Sequence, residues 1–143
     1  MTAYEFSADP ERLDGDWIHS TLRQHSYWAQ DRPRALQDAA NAGSRCFGMY
    51  DTATGRQVAF ARLVTDGATF GWLADVIVDP DHRGRGLGKI LVDGIVAEID
   101  RLGLKRTLLV TNDAHTLYAR HDWAPVAAPE NTLVRWRPDA RPA

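Results

Sequence analysis

The spacing of apolar positions changes period along the chain. From Glu11 to His25, Leu13, Trp17, Ile18 and Leu22 recur at helical spacing and predict a first helix. Asp9-Pro10 predicts its start, with Asp9 as N-cap, Pro10 at the first helical position and Glu11 in the first turn. Before it, "AYEFSA" reads as a short strand. "SYWAQDRP" interrupts, and "PRALQDAANAG" predicts a second, short helix that Gly43 terminates. The period then becomes two. "SRCFGMYD" and "RQVAFARLVTD" flank "TATG" as a hairpin, Asp66-Gly67 marks a second tight turn, and "TFGWLADVIVD" follows. Helical spacing returns in "GLGKILVDGIVAEIDRLG", where Leu87, Ile90, Leu91, Ile95 and Ile99 form one apolar face and Gly103 ends the helix. A strand "RTLLVT", a helix "DAHTLYARHD" and a last strand near "NTLVRWR" complete the chain. The order β-α-α-β-β-β-α-β-α-β predicts a mixed α/β fold, an antiparallel meander followed by one β-α-β crossover.

Composition narrows the class. A chain of 143 residues is most simply one domain, able to bury about 68–70% of its unfolded surface. Residues 1–137 are expected to form it, with 138–143 as a loose C-terminal tail. A hydrophobic content of 44% and charged content of 25% are those of an ordinary soluble chain. A net charge of −2 argues against nucleic acid or a membrane surface as partner. Cys46 is the one cysteine, so no internal disulfide or cysteine metal cluster can form. The five histidines make no H-x-x-x-H or H-E-x-x-H grouping, so no metal is expected. With no signal-like start and no long apolar run, a cytoplasmic location is the default expectation.

The chemistry concentrates in "DPDHRGRGLGKIL", residues 79–91. A P-loop needs a glycine five residues before its Gly-Lys and a Ser or Thr after it. Arg83 and Ile90 occupy those positions. A dinucleotide fingerprint needs G-x-G-x-x-G, and the stretch runs G-x-G-x-G instead. The pattern that does fit is [Q/R]-x-x-G-x-[G/A], through Arg83, Gly86 and Gly88, between a strand and the start of a helix. Missing Cβ atoms let backbone N–H groups converge on an anion, and the helix dipole adds to the attraction. Arg83, Arg85 and Lys89 add positive charge. The alternative is a tight strand-to-helix turn with a solvated basic rim.

With these residues, from "WLADVIVDPDHRGRGLGKIL" through "LLVTNDAHTLYARHDW", the chain resembles the GCN5-related N-acetyltransferase (GNAT) superfamily and a group of its small bacterial members. The resemblance implies a mixed, mostly antiparallel central sheet of about six or seven strands flanked by about four helices. It also implies a splayed strand pair that forms a wedge for acetyl-coenzyme A. In the family the loop Arg83, Gly84, Arg85, Gly86, Leu87, Gly88 and Lys89 grips the coenzyme's pyrophosphate, and the backbone of Val76, Ile77 and Val78 pairs with the pantetheine arm. Asn112 stands next to Thr111, which occupies a position that is often Asn in the family. Asp122-Trp123 replaces the family's usual Gly-Phe, which bears on the local turn. The implied function is transfer of an acetyl group from acetyl-coenzyme A to a primary amine of a small molecule or peptide, by direct attack in a ternary complex. The rival reading is a non-catalytic acyl-coenzyme A sensor or interaction module on the same fold. A homodimer is compatible with both.

Amide transfer needs a neutral amine, and an amine of pKa about 10.4 must lose a proton at neutral pH. The departing thiolate needs an acid. Tyr118, matching the family's A-x-x-L-Y segment with Ala114 and Leu117, is the candidate acid. Asp75 is the one charge in the apolar run "FGWLADVIV"; alternation puts it and Ile77 on the face opposite Val76 and Val78. It takes the proton through water, binds the amine as an ion pair, or serves as a structural acceptor. His115, one helical turn from Tyr118, is a second base candidate. A backbone N–H near Val76 is the candidate oxyanion donor. Cys46 reads as a small buried hydrophobe rather than a nucleophile. Trp28 and Arg32 fall where the family's first two helices overhang the acceptor, either as a pair suited to a planar or acidic molecule or as a surface staple between helices. Thr65, in the turn with Asp66, either reaches the same cleft or simply makes the turn.

Overall fold

The computed structural model describes residues 3–141. Five strands form one sheet in the order β1-β2-β3-β4-β5: Tyr4–Ser7, Arg45–Asp51, Gln57–Thr65, Phe70–Val78 and Arg106–Leu108. The first four pair antiparallel as a meander, and β5 pairs parallel to β4. Four helices accompany them: α1 Gly15–His25, α2 Arg34–Ala42, α3 Leu87–Leu102 and α4 His115–Ala119. The long α3 is the crossover between β4 and β5, since a parallel neighbour cannot be reached by a tight turn. No helix among the described residues is long and apolar enough to cross a membrane.

The sheet separates two apolar layers. On one face Phe47, Met49, Ala59, Ala61, Leu63 and Leu73 pack with Leu87, Leu91, Val92, Ile95 and Ile99 of α3 and with Tyr118. The other face puts Cys46, Phe60 and Ile77 against Ile18 and Leu22 of α1 and Ala29. Full burial of one such Leu or Ile contributes about 1.5–3 kcal/mol. Gly94 lets α3 approach β1 closely: a Cβ there would lie 2.5 Å from the Phe6 ring.

Asp9 caps as the sequence implies, accepting from the Glu11 N–H at 2.9 Å, but it caps a short 3-10 turn, Pro10–Arg12. The helix itself begins later, with Asp14 as N-cap for the Trp17 N–H at 3.0 Å. Gly15, at its first position, weakens helix propensity there, so the chain enters through two capped segments. Gly43 and Gly103 close α2 and α3 as expected.

The sheet has five strands where six or seven were expected. No strand forms near "NTLVRWR": residues 132–137 are irregular, with Leu133, Val134 and Trp136 exposed by 90, 83 and 73%. An alternating pattern makes a strand only beside an available edge. Here β5 is three residues long, and the Trp123 indole donates to its Thr107 carbonyl at 3.2 Å, so the edge offers little to pair with. Of the expected tail, residues 138–141 are likewise irregular, while 142 and 143 lie outside the described residues.

Candidate active site

Pairing between β4 and β5 stops at Trp72 opposite Leu108, yet β4 continues to Val78. The two strands part there, and β4 keeps an unpaired backbone edge on that side over Val76, Ile77 and Val78. On its other side the ladder to β3 is interrupted. Arg62 opposes Ala74 and Phe60 opposes Ile77, leaving Asp75 and Val76 as a bulge against Ala61. Asp75 takes a left-handed φ of 55°, a conformation aspartate tolerates better than most residues. The bulge preserves the predicted alternation, with Ile77 in the α1 layer and Val76 and Val78 in the α3 layer.

A cleft of about 380 Å³ opens where the strands part. Ala74, Asp75 and Val76 line it from β4, Leu109 and Thr111 from beyond β5, Tyr118 from α4, and Trp28 and Arg32 from the α1–α2 connection. Asp75 is the organising group, its side chain 1% exposed. The Trp28 indole N–H donates to Oδ1 at 2.8 Å. Arg32 Nη1, Arg62 Nε and Gln37 Nε2 donate to Oδ2 at 2.8, 2.7 and 3.2 Å. Burial works against its ionisation, but the Arg62 hydrogen bond and charge, then Arg32 and Gln37, outweigh burial and hold the carboxyl below its ordinary range.

Tyr118 lines the cleft with 7% exposure and stands edge-on to Trp123, ring centroids 5.8 Å apart. Burial, aided by the Asp113 charge, pushes its phenol up to about 12, so it keeps its proton at neutral pH. The Thr111 hydroxyl accepts from the Ala114 N–H at 3.0 Å and steadies the start of α4. Asp122 adopts φ 72°, the left-handed turn for which glycine is the usual residue, and so brings Trp123 back onto Tyr118.

The glycine-rich loop fits a phosphate-bearing coenzyme. Gly84 and Gly86 have φ of 78° and 77°, and a Cβ at either would meet no atom within 4 Å, so the surface above them is open. Gly86 is the N-cap of the 16-residue α3 and supplies no side-chain acceptor, leaving the first-turn N–H groups to an external anion. Arg83 and Lys89 are exposed beside it. Arg85 is tied down, donating to the Tyr4 hydroxyl at 2.7 Å. Asp79 anchors the loop's entry, accepting from the Asp81 N–H at 2.9 Å and from the Trp17 indole at 3.2 Å.

Three of the sequence candidates stand apart. His115 is exposed on the first turn of α4 and does not line the cleft. Asn112 is exposed, with no side-chain hydrogen bond among the described residues. Thr65 lies at the hairpin turn, donating to the Phe70 carbonyl and accepting from the Gly67 N–H. Cys46 is buried, and burial pushes its thiol up to about 11, which keeps it a poor nucleophile. Among the described residues no cluster of three or more His, Cys, Asp or Glu could hold a metal ion. Arg62, Gln37, Tyr27, Trp72, Asp113 and Trp136 were not singled out by sequence. Arg62 carries the signal that marked Asp75, a lone charge in an apolar strand, "VAFARLV". Gln37 sits on a helix whose pattern gave no hint of its 1% exposure.

Known proteins agree with this architecture. A Gibberella zeae protein, whose name gives the acetyltransferase class and no acceptor, is 34% identical over 137 residues, covering 82% of this chain and 77% of its own. The Escherichia coli [ribosomal protein bS18]-alanine N-acetyltransferase is 35% identical over 89 residues, 60% of this chain and 55% of that enzyme. A crystal structure of a GNAT-family protein from Xanthomonas campestris superposes with a TM-score of 0.89 at 46% identity, covering 96% of both chains. The Acetyltransferase (GNAT) family pattern matches residues 11–123, well over half the sequence, and the chain therefore belongs to the GNAT acetyltransferase family.

Proposed function

We propose that this protein transfers the acetyl group of acetyl-coenzyme A to a primary amine by direct attack within a ternary complex. The observation that carries the reading is the parting of β4 and β5, beside a cleft that both the bulge residues Asp75 and Val76 and Tyr118 line. Acetyl-coenzyme A supplies an activated thioester carbonyl. The loop from Arg83 to Lys89 holds its pyrophosphate, and the free edge of Val76, Ile77 and Val78 receives its extended arm by backbone pairing. At the bulge, where the β3 ladder skips Asp75 and Val76, the Val76 N–H is assigned as the donor for the oxyanion.

As the amine nitrogen bonds to the carbonyl carbon and the carbon–sulfur bond breaks, Tyr118 delivers its proton toward the sulfur. Asp75 is assigned a positioning role: both oxygens are engaged, so it orders Trp28, Arg32 and Arg62 rather than taking a proton. The attacking amine loses its proton to water in the open cleft.

A thiol-release assay with acetyl-coenzyme A and a panel of primary amines tests this. Tyr118→Phe is expected to lower kcat by about 100-fold, within the range of a general acid, with coenzyme affinity by calorimetry unchanged. Binding of the coenzyme without turnover of any amine would leave the sensor reading in its place.

A further inference from the structure

The charges and aromatic groups around the cleft narrow the acceptor. Tyr27, Trp28, Trp72 and Trp136 all line it, with exposures of 57, 42, 36 and 73%. Four exposed aromatics converging on one opening form an apolar rim of the kind that marks a ligand site. Tyr27 stands edge-on to Trp28 at 5.0 Å, and the Trp28 indole is fixed by its bond to Asp75.

Beneath the rim, two guanidinium groups face one buried carboxylate, so the inner cluster carries surplus positive charge. Arg32 makes its side-chain bonds through Nη1 alone, to Asp75 and Gln37, each at 2.8 Å. Its Nε–H and Nη2 edge has no protein partner among the described residues, and its side chain is 20% exposed. That edge presents two parallel N–H groups, the fork that matches a carboxylate. On the α4 side, Asp113 lines the cleft close to Tyr118. The cleft is thus polarised, positive at Arg32 and negative near the candidate acid, with planar apolar walls between.

We propose that the acceptor is a small α-amino acid with an aromatic side chain, its carboxylate held by the free edge of Arg32 and its amine directed toward Asp113 and Tyr118. This rests on the acetyl-transfer reading of the same cleft. An amine lacking a carboxylate leaves the surplus charge of Arg32 and Arg62 uncompensated, and an acidic acceptor without a planar group leaves the rim unfilled.

The test compares matched acceptors: phenylalanine and tryptophan against phenethylamine and tryptamine, with alanine, O-phosphoethanolamine and a peptide beginning with Phe as further arms. Thiol release gives kcat/KM, and calorimetry of the acceptors alone gives binding without turnover. The aromatic amino acids are expected to be preferred by about 10- to 100-fold over their decarboxylated twins and over alanine. Arg32→Lys should collapse that ratio while coenzyme affinity holds; a melting curve checks that it folds. If it does not fold, Trp136→Ala should weaken the aromatic acids and leave alanine unchanged. Better turnover of tryptamine, the phosphorylated amine or the peptide overturns this inference and leaves acetyl transfer standing. Selective binding of the aromatic acids with no turnover sinks acetyl transfer and leaves the acceptor class standing. No binding of any amino acid overturns the inference.

Discussion

Asp75 is the hub of a hydrogen-bonded cluster at the cleft. Its carboxylate joins α1–α2 to β3 and β4 through Trp28, Arg32, Gln37 and Arg62. Asp75→Asn keeps the shape and tolerates the left-handed φ, but it leaves two guanidinium groups facing a neutral amide. Breaking a buried pair costs about 3–5 kcal/mol, and the partial exposure of both arginines places the expected loss near the lower end. A urea unfolding curve of the variant measures it, and an unchanged midpoint would remove Asp75 from this role. Tyr118 makes a different prediction. Its phenol, pushed up to about 12, stays protonated well above the ordinary value of about 10. The kcat/KM profile should therefore rise with pH as the amine deprotonates, with no falling limb from Tyr118 through pH about 10. A descending limb centred near the ordinary phenol value would show that the hydroxyl is not buried during catalysis.

At the scale of elements, packing decided what period alone could not. The helical and alternating patterns located the four α-helices and the five strands of the described residues, with β5 ending at Leu108 rather than running through "RTLLVT". They placed the start of α1 too early, since Asp9 and Asp14 are both competent caps and only the first residues of true α-helix separate them. They also made a strand of "NTLVRWR", whose alternation is real but whose potential neighbour β5 is too short to pair with it. Gly94 lies within the α3 pattern and looks like a place to gain helix propensity. Gly94→Ala should gain about 1 kcal/mol of propensity yet lose about 1–3 kcal/mol to overpacking against Phe6, which already stacks on Phe47 at 5.8 Å. The expected net effect is a lower melting temperature. A rise would mean that Phe6 yields at no cost.

For the whole molecule, the Asp75 cluster ties the packing of α1–α2 on the sheet to pH. Its folded pKa lies below the unfolded value of about 3.9, so its stabilisation is complete above pH about 4 and is lost as pH falls through the folded pKa. Wild-type stability should fall through this acid window, whereas Asp75→Asn should show a shallower decline there, read from melting temperatures at a series of pH values. Equal slopes would mean that other carboxylates govern acid unfolding.

The sequence alone determined the α/β class, the meander followed by a crossover, the glycine loop before α3 and the position of Tyr118. These follow from local rules: side-chain period, turn chemistry and the spacing of residues close together along the chain. Only the tertiary structure decided which side chains Asp75 meets, because its partners come from positions 28, 32, 37 and 62 and meet only once the sheet is closed by α1 and α2. The same holds for the aromatic rim. Tyr27, Trp28, Trp72 and Trp136 lie more than 100 residues apart at their extremes, and no periodicity links them. A glycine-rich loop can be written in consecutive residues, but a cleft is assembled from side chains brought together by folding.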